Sequence, residues 1–428
     1  MTATIFDIVV IGGGPVGMAA AYEAAKAGAR VALLEQNNFF NQAGSSGDLA
    51  RMFRTMYTED YMADLAKEAM QLWDALEKDS GTSLRWMSGL LNFGDKDIGG
   101  GTPEVTAKAI EGRYPFKNLP ADWVGLFSPD NGVINVQLLL RTLLNLAKDY
   151  GAEARQHTQV QSILPPKAPQ AGYNWEVNTL RHGSEAVTFK TNKVIIASGS
   201  YVNHVLKPSF GFSLDLDIWE MVASYFNTNA GPEGTIFPSM WFQFAPDKQG
   251  RSQLFYGFPT LPWGPPNVVR IAVDAASRRI KDPTERQTNV VNPDDVRDTQ
   301  DFVREHVVGV DATVPASTLT CLQTNVFDNM FVLDFVPQEY LRGGPKDSVV
   351  VFTAGWAMKF VPMLGKALAE MAIRGGSKYA LSEFSMTRKD PTTGKGIIVN
   401  DKAGNGTSFA FAKQASGSSY KGVHNMGR

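Results

Sequence analysis

Residues 8–17 read Ile8-Val9-Val10-Ile11-Gly12-Gly13-Gly14-Pro15-Val16-Gly17, and this stretch decides the fold. The four leading residues are a continuous apolar run, as expected of a strand buried on both faces of a parallel sheet. Gly12-x-Gly14-x-x-Gly17 follows at once and opens an Ala-rich helix over 18–27, with Gly28 as its C-cap. In such a motif the first glycine makes a tight turn and the second lets the backbone approach a pyrophosphate. The third lets the helix pack closely on the strand. The helix N-terminus contributes free N–H groups and a positive dipole end. A second strand, Val31-Ala32-Leu33-Leu34, ends at Glu35, which is placed to accept hydrogen bonds from ribose hydroxyls. That acid disfavours a 2′-phosphate, and so NADP. The motif alone leaves FAD and NAD open.

Outward from this unit, Leu65, Ala69, Leu72, Trp73 and Leu76 stand at helical spacing and predict an amphipathic helix over 59–79. A second helix fits 136–149, followed by Gly151 and a strand near 159–163. Val194-Ile195-Ile196-Ala197-Ser198-Gly199-Ser200 reads as a further buried strand ending in a small-residue turn. From about 205 to 320 aromatic residues and prolines alternate with short strands, which suits a mostly antiparallel sheet inserted as a second domain. Residues 349–355 return to the buried-strand pattern, and a helix is expected from about 365 to 374. Residues 388–428, rich in Gly, Ser, Thr and Lys, predict a surface-wrapping or mobile tail.

Composition narrows the function. The chain has 428 residues and a formal net charge of −2, which leaves no electrostatic footprint for nucleic acid or an anionic membrane. One cysteine, Cys321, excludes an internal disulfide framework and a thiolate zinc cluster. The five histidines are scattered, without a pair at metal-ligand spacing. No apolar run approaches the ~20 residues that span a bilayer, and the N-terminus lacks a secretion signal. The expectation is a soluble, cytoplasmic protein.

Five places, in order along the chain, resemble the monomeric sarcosine oxidase family of FAD-dependent amine oxidases. They are Ser45-Ser46-Gly47-Asp48-Leu49-Ala50-Arg51-Met52-Phe53-Arg54-Thr55-Met56-Tyr57, Ser128-Pro129-Asp130-Asn131-Gly132-Val133, Tyr256-Gly257-Phe258-Pro259, Cys321-x-x-Thr324 with Asp328 and Phe331-Val332-Leu333-Asp334, and Gly355-Trp356-Ala357-Met358-Lys359-Phe360. The resemblance runs over roughly residues 5–385. It implies an α/β fold in which a glutathione-reductase-type, Rossmann-like FAD-binding domain (1–85, 135–204 and 322–385) interleaves with a mixed-sheet substrate domain (86–134 and 205–321). A polar tail over 386–428 would complete the chain. The implied reaction is oxidation of an amine C–N bond by hydride transfer to flavin, with release of an imine. Oxygen usually serves as acceptor and yields hydrogen peroxide.

The resemblance also implies roles. Cys321 matches the cysteine that forms a thioether to the flavin 8α carbon. Gly12, Gly14, Gly17, Glu35, Ser46, Arg51, Gly355, Met358 and Lys359 complete the expected cofactor set, with Arg51 beside the flavin ring. Arg54 and Lys359 match two cations that hold a substrate carboxylate, a guanidinium fork and an ammonium point charge. Tyr256 matches a tyrosine on the substrate side. Three positions depart from the pattern. Arg270 stands for the lysine that assists oxygen activation, Asp274 for a histidine, and Trp356 for another histidine. The replacements argue against sarcosine and for a larger amino or imino acid, flat or cyclic, stacked near the indole. Trp241, Phe242, Phe244 and Met358 could add apolar walls, although such a stripe is more often core. If the amine binds neutral, no carbon-bound proton need be abstracted first, and no Ser-His-Asp set or paired-carboxylate constellation stands out.

Three alternatives stay open on sequence. One is a flavin dehydrogenase or demethylase with a non-oxygen acceptor, motivated by Arg270. Another is an NADH-dependent hydroxylase, which shares the fingerprint but gives Cys321 no flavin-anchoring role. The last is a non-catalytic FAD-binding protein, which the burial of two cations without an anionic ligand makes costly.

Overall fold

The computed structural model describes residues 4–400, apart from 56, 58, 95–104, 169–171, 230–239, 247–251, 275, 277 and 287–289. For 240–246, 252 and 253 the backbone alone is described. Its first sheet is built on Ile5–Ile11, which pairs in parallel with Val31–Leu34 on one side and with Glu185–Ile196 on the other. Glu153–Arg155 extends the parallel set beyond Val31–Leu34, and Val349–Thr353 joins it beside residues 194–196. The earlier half of Glu185–Ile196 leaves this set. It joins Trp175–Arg181 and Thr158–Leu164 in an antiparallel meander.

Both faces of the sheet are covered, which is why its strands read as unbroken apolar runs. On one face Pro15–Lys26 packs between Val136–Asp149 and Val361–Arg374. The Ala-rich face of the first helix permits close approach: a Cβ on Gly365 would lie 2.4 Å from that of Ala19. On the other face Val202–Phe210 covers Val9, Ile11, Leu34 and Ile196. The helices expected over 59–79 and 136–149 are Asp60–Ser80 and Val136–Asp149. Two helices start earlier than expected, at Pro15 and Val361, because Pro15 and Pro362 sit in the first turn, where a proline lacks no needed donor.

Among the described residues the second sheet has nine strands and is antiparallel except where Met240–Pro246 runs parallel to Leu90–Gly94. Its outer face packs on Ala107–Arg113 and Pro293–His306, through Phe93, Phe116, Phe255 and Phe302. Its inner face carries Leu90, Leu254, Tyr256, Phe258 and Ala272, packed with Ala50 and Val133 of a small three-stranded sheet.

Two expected boundaries fall elsewhere. The cut between residues 321 and 322 lies inside one strand, Ser317–Asn325, which pairs along its whole length with Asp217–Asn227. The tail expected from 386 begins in packed structure. Met386 and Ile397 are fully buried, Arg388 grips Asp328 through two nitrogens, and Ile398–Asn400 pairs with Phe212–Leu214. Composition in that stretch is polar, but two apolar anchors and a bidentate ion pair suffice to hold it. Residues 401–428 lie outside the described residues.

Candidate active site

The parallel strands end together. Gly12, Glu35, Ala197 and Thr353 stand at or just past neighbouring carboxyl ends, where open α/β sheets bind their ligands. Gly12 has a φ of +107°, and a Cβ there would meet the Ala197 carbonyl oxygen at 2.5 Å. A Cβ on Gly17 would lie 1.9 Å from the Gly12 oxygen. Gly14 caps the first helix, with the Ser46 hydroxyl 3.2 Å from where its Cβ would stand. Glu35 accepts hydrogen bonds from Gly13 N and Asn37 N, both at 2.8 Å, and from Asn41 Nδ2. Burial raises its pKa above the usual carboxylate range, against those donors.

A cavity of about 770 Å³ opens from this turn. Gly12, Gly14, Glu35, Ser46, Arg51 and Cys321 line it, and so do Gly355 and Met358. Tyr256, Arg270, Trp356 and Lys359 also line it. Gly17, Arg54 and Asp274 do not. Gly17 sits inside the helix–turn contact, and the other two are buried charges that act on Lys359. Trp241, Phe242 and Phe244, the expected apolar walls, have side chains outside the described residues.

Cys321 reaches the cavity because its strand is tied to two loops. Leu322 N donates to Gly44 O and the Ser45 hydroxyl donates to Leu322 O. Gln323 Nε2 donates to Gly355 O at 3.1 Å, and Gly355 N donates to Thr324 O at 3.1 Å. The lone thiol is half-buried, between the segment carrying Arg51 and the turn carrying Trp356 and Lys359.

Arg51 is held by its own segment. It donates to the carbonyls of Ser45, Gly47 and Ala50, and it lines the cavity. It also pairs with Asp48, a residue that sequence reasoning gave no role. The Asp48 carboxylate, 3% exposed, is also ion-paired with Arg270, whose Nε lies 3.2 Å away, and accepts from Leu49 N and from the Tyr225 hydroxyl. Arg270 donates onward to the Tyr256 hydroxyl at 3.1 Å and lies over the rings of Tyr256 and Phe258. Burial works against the charged form of Asp48, but the two guanidiniums outweigh it and hold its pKa below the ordinary value.

A second charge group comprises Arg54, Asp274 and Lys359, at 5%, 4% and 7% exposure. Arg54 and Lys359 both face the ring of Tyr57, which sequence reasoning also passed over. The Lys359 carbonyl accepts from Trp73 Nε1 at 2.8 Å, which fixes the backbone beneath the ammonium. Burial, reinforced by the Arg54 charge, pushes the Lys359 pKa well down, and Asp274 opposes the fall. Burial pushes Asp274 up to about 6, against the pull of Arg54 and Lys359. No signal in the sequence pairs Tyr57 with Lys359. Asp48 lies within the motif that carries Arg51, but its burial and its pairing with Arg270 and Tyr225 come from the fold.

A dinucleotide cradle that opens into a cavity walled by a second, largely antiparallel sheet defines a flavin-dependent oxidoreductase. The FAD dependent oxidoreductase family model matches residues 7–371, and the chain belongs to that family, in the branch related to monomeric sarcosine oxidase. It is 46% identical over 418 residues to a Dictyostelium discoideum protein named as a bifunctional amine oxidase. That match covers 92% of this chain but 38% of the relative, so the chain spans well under half of that protein's length. It is 27% identical to peroxisomal sarcosine oxidase of Homo sapiens, over 91% of this chain and 98% of that one. Among solved structures, NikD, an unusual amino acid oxidase essential for nikkomycin biosynthesis, superposes with a TM-score of 0.77 at 31% identity, over 90% of this chain and 98% of NikD. The chain is thus an FAD-dependent amine or amino acid oxidoreductase. No helix among the described residues is long and apolar enough to cross a membrane, and no cluster of potential metal ligands occurs among them.

Proposed function

We propose that this enzyme oxidises the C–N bond of an amino or imino acid whose nitrogen is secondary or cyclic, and that its FAD is tethered through Cys321. The residues fit the cofactor. The Gly12 turn leaves backbone room for a pyrophosphate, Glu35 lines the cavity at the end of the neighbouring strand, where ribose hydroxyls could donate to it, and the only thiol lines the same cavity. Bound FAD supplies a two-electron acceptor for the hydride that leaves the carbon next to nitrogen, and the substrate becomes an imine.

The observation that carries this reading is the buried set of Arg54, Lys359 and Asp274. Two cationic side chains and one carboxylate sit in low dielectric, where unbalanced charge is expensive. A substrate carboxylate at the cavity wall favours the ammonium form of Lys359, which burial and the Arg54 charge otherwise disfavour. Held by Lys359 at the cavity wall, with Arg54 behind, the acid end fixes which carbon faces the flavin. Asp274, raised to about 6 by burial, stands behind the cavity wall and tunes the charge of Lys359. Trp356 offers a flat apolar face to a ring-bearing substrate. The same geometry disfavours sarcosine, which would leave the indole uncovered.

A dehydrogenase reading is favoured by one observation. The guanidinium of Arg270, at the position where the resemblance implies a lysine for oxygen activation, is ion-paired with Asp48 and donates a hydrogen bond to Tyr256. Anaerobic flavin bleaching with a panel of N-methyl, cyclic and primary amino acids tests the substrate class without assuming oxygen. Bleaching by cyclic or secondary amino acids is expected, and bleaching by none of the panel overturns the reading. Comparing hydrogen peroxide formation with reduction of an artificial dye then separates the two acceptors.

A further inference from the structure

Asp48 occupies an unusual place. Its φ of +138° lies where non-glycine residues are seldom found, so the surrounding structure imposes the conformation. Its side chain is 3% exposed, as is that of Arg270, while Arg51 retains 18%. Arg51, the Tyr225 hydroxyl and Leu49 N donate to the one carboxylate, and Arg270 is ion-paired with it. Arg51 and Arg270 both line the cavity, and Asp48 does not. The carboxylate is therefore a hidden link between the two guanidiniums and, through Arg270, to the Tyr256 hydroxyl.

Charge counting gives this link a consequence. Two guanidiniums and one carboxylate leave a single net positive charge at the cavity wall. Without the carboxylate there would be two, in a medium where one unit charge has a large effect. Positive charge beside a flavin favours its reduced, anionic form.

We propose that Asp48 is a positioning residue that sets the positive charge presented to the bound flavin by holding Arg51 and Arg270 as one fixed cluster. This rests on the FAD-dependent reading above and adds to it a residue that touches neither substrate nor cofactor. Asp48 thereby keeps the flavin's reduction potential lower than the two arginines alone would make it.

The test is the two-electron midpoint potential of the flavin-loaded protein, measured without substrate. Asp48→Asn should favour reduction at least tenfold, about +30 mV for a two-electron couple. Arg270→Gln should shift it at least tenfold the other way. The double variant, with its net charge restored, should return to within threefold of the parent. Asp48→Glu keeps the charge and should stay equally close, whereas a purely structural role would make Asn and Glu variants alike. An unchanged or lowered potential in Asp48→Asn overturns the proposal. Should that variant not load flavin, Arg270→Gln decides, and an unchanged potential there overturns it equally. Failure of the amino acid panel on the unaltered enzyme would sink the substrate reading and leave this series interpretable.

Discussion

The cations of Arg54 and Lys359 face one aromatic ring: Arg54 Cζ lies 5.4 Å and Lys359 Nζ 5.6 Å from the ring centroid of Tyr57. The two residues are far apart in sequence, on the segment after Ala50–Phe53 and in the turn Ala357–Phe360. Tyr57 itself packs against Phe360, with ring centroids 5.6 Å apart. An aromatic face gives two like charges a common attractive partner and so lowers the cost of holding them close.

Substitution of either cation should therefore act on the acid end of the substrate. Arg54→Ala and Lys359→Ala are each expected to weaken carboxylated substrates by more than ~1.5 kcal/mol, as for a hydrogen bond to a charged group. The corresponding amines without a carboxylate should be far less affected. Steady-state kinetics on matched pairs of substrates checks this, and unchanged kinetics in both variants refutes the carboxylate clamp.

Tyr57→Phe should preserve the platform, because it keeps the ring face over which both side chains lie. Tyr57→Leu removes the face and should raise KM for a carboxylated substrate about tenfold, or ~1.4 kcal/mol, within the range of a desolvated cation–π contact. Equal effects of the two substitutions would show that the hydroxyl matters instead.

Asp274 predicts a pH dependence. Its folded pKa, about 6, exceeds its unfolded value of 3.8. The stability this raised pKa contributes is complete below 3.8 and is lost as pH rises through about 6, since the fold resists ionisation that the unfolded chain allows. Thermal melting from pH 4 to 7 should reveal that fall in the parent protein, and Asp274→Asn should lack it. A limb near pH 6 in kcat/KM should vanish in the same variant.

The Cys321 thioether can be read by eye. Acid precipitation of the parent protein should leave a yellow pellet, and Cys321→Ala should release the colour to the supernatant. A colourless parent pellet would discard the covalent link while leaving non-covalent FAD intact.

At the nucleotide turn, Gly17→Ala places a methyl 1.9 Å from the Gly12 oxygen. Relief requires moving the helix off the strand, so a loss of about 1–3 kcal/mol, typical of overpacking, is expected together with weaker FAD retention. Urea melts and flavin content measured together check it.

The dinucleotide unit was legible because its signals are local. Apolar run, glycine spacing, helix and terminal acid fall within residues 8–35, and each is dictated by backbone sterics or by a strand buried on both sides. Arg51, Arg54, Cys321 and Lys359 were reachable through motifs that each sit in one short stretch. Asp48 and Tyr57 stood inside such a stretch and still went without a role, because what defines them arrives from elsewhere in the chain. Tyr225, which donates to Asp48, is 177 residues away. The same limit explains the misplaced boundaries: pairing of Ser317–Asn325 with Asp217–Asn227 is a property of the sheet, and local composition carries no trace of it.

Sequence alone thus pointed to a dinucleotide site and to the order of the elements around it, since both follow from short-range periodicity and from glycine positions that tolerate no side chain. Tertiary structure alone decided which charges share a site and which lie behind it. Electrostatic energy depends on distance and burial, and folding sets both only when segments remote in the chain are brought into contact.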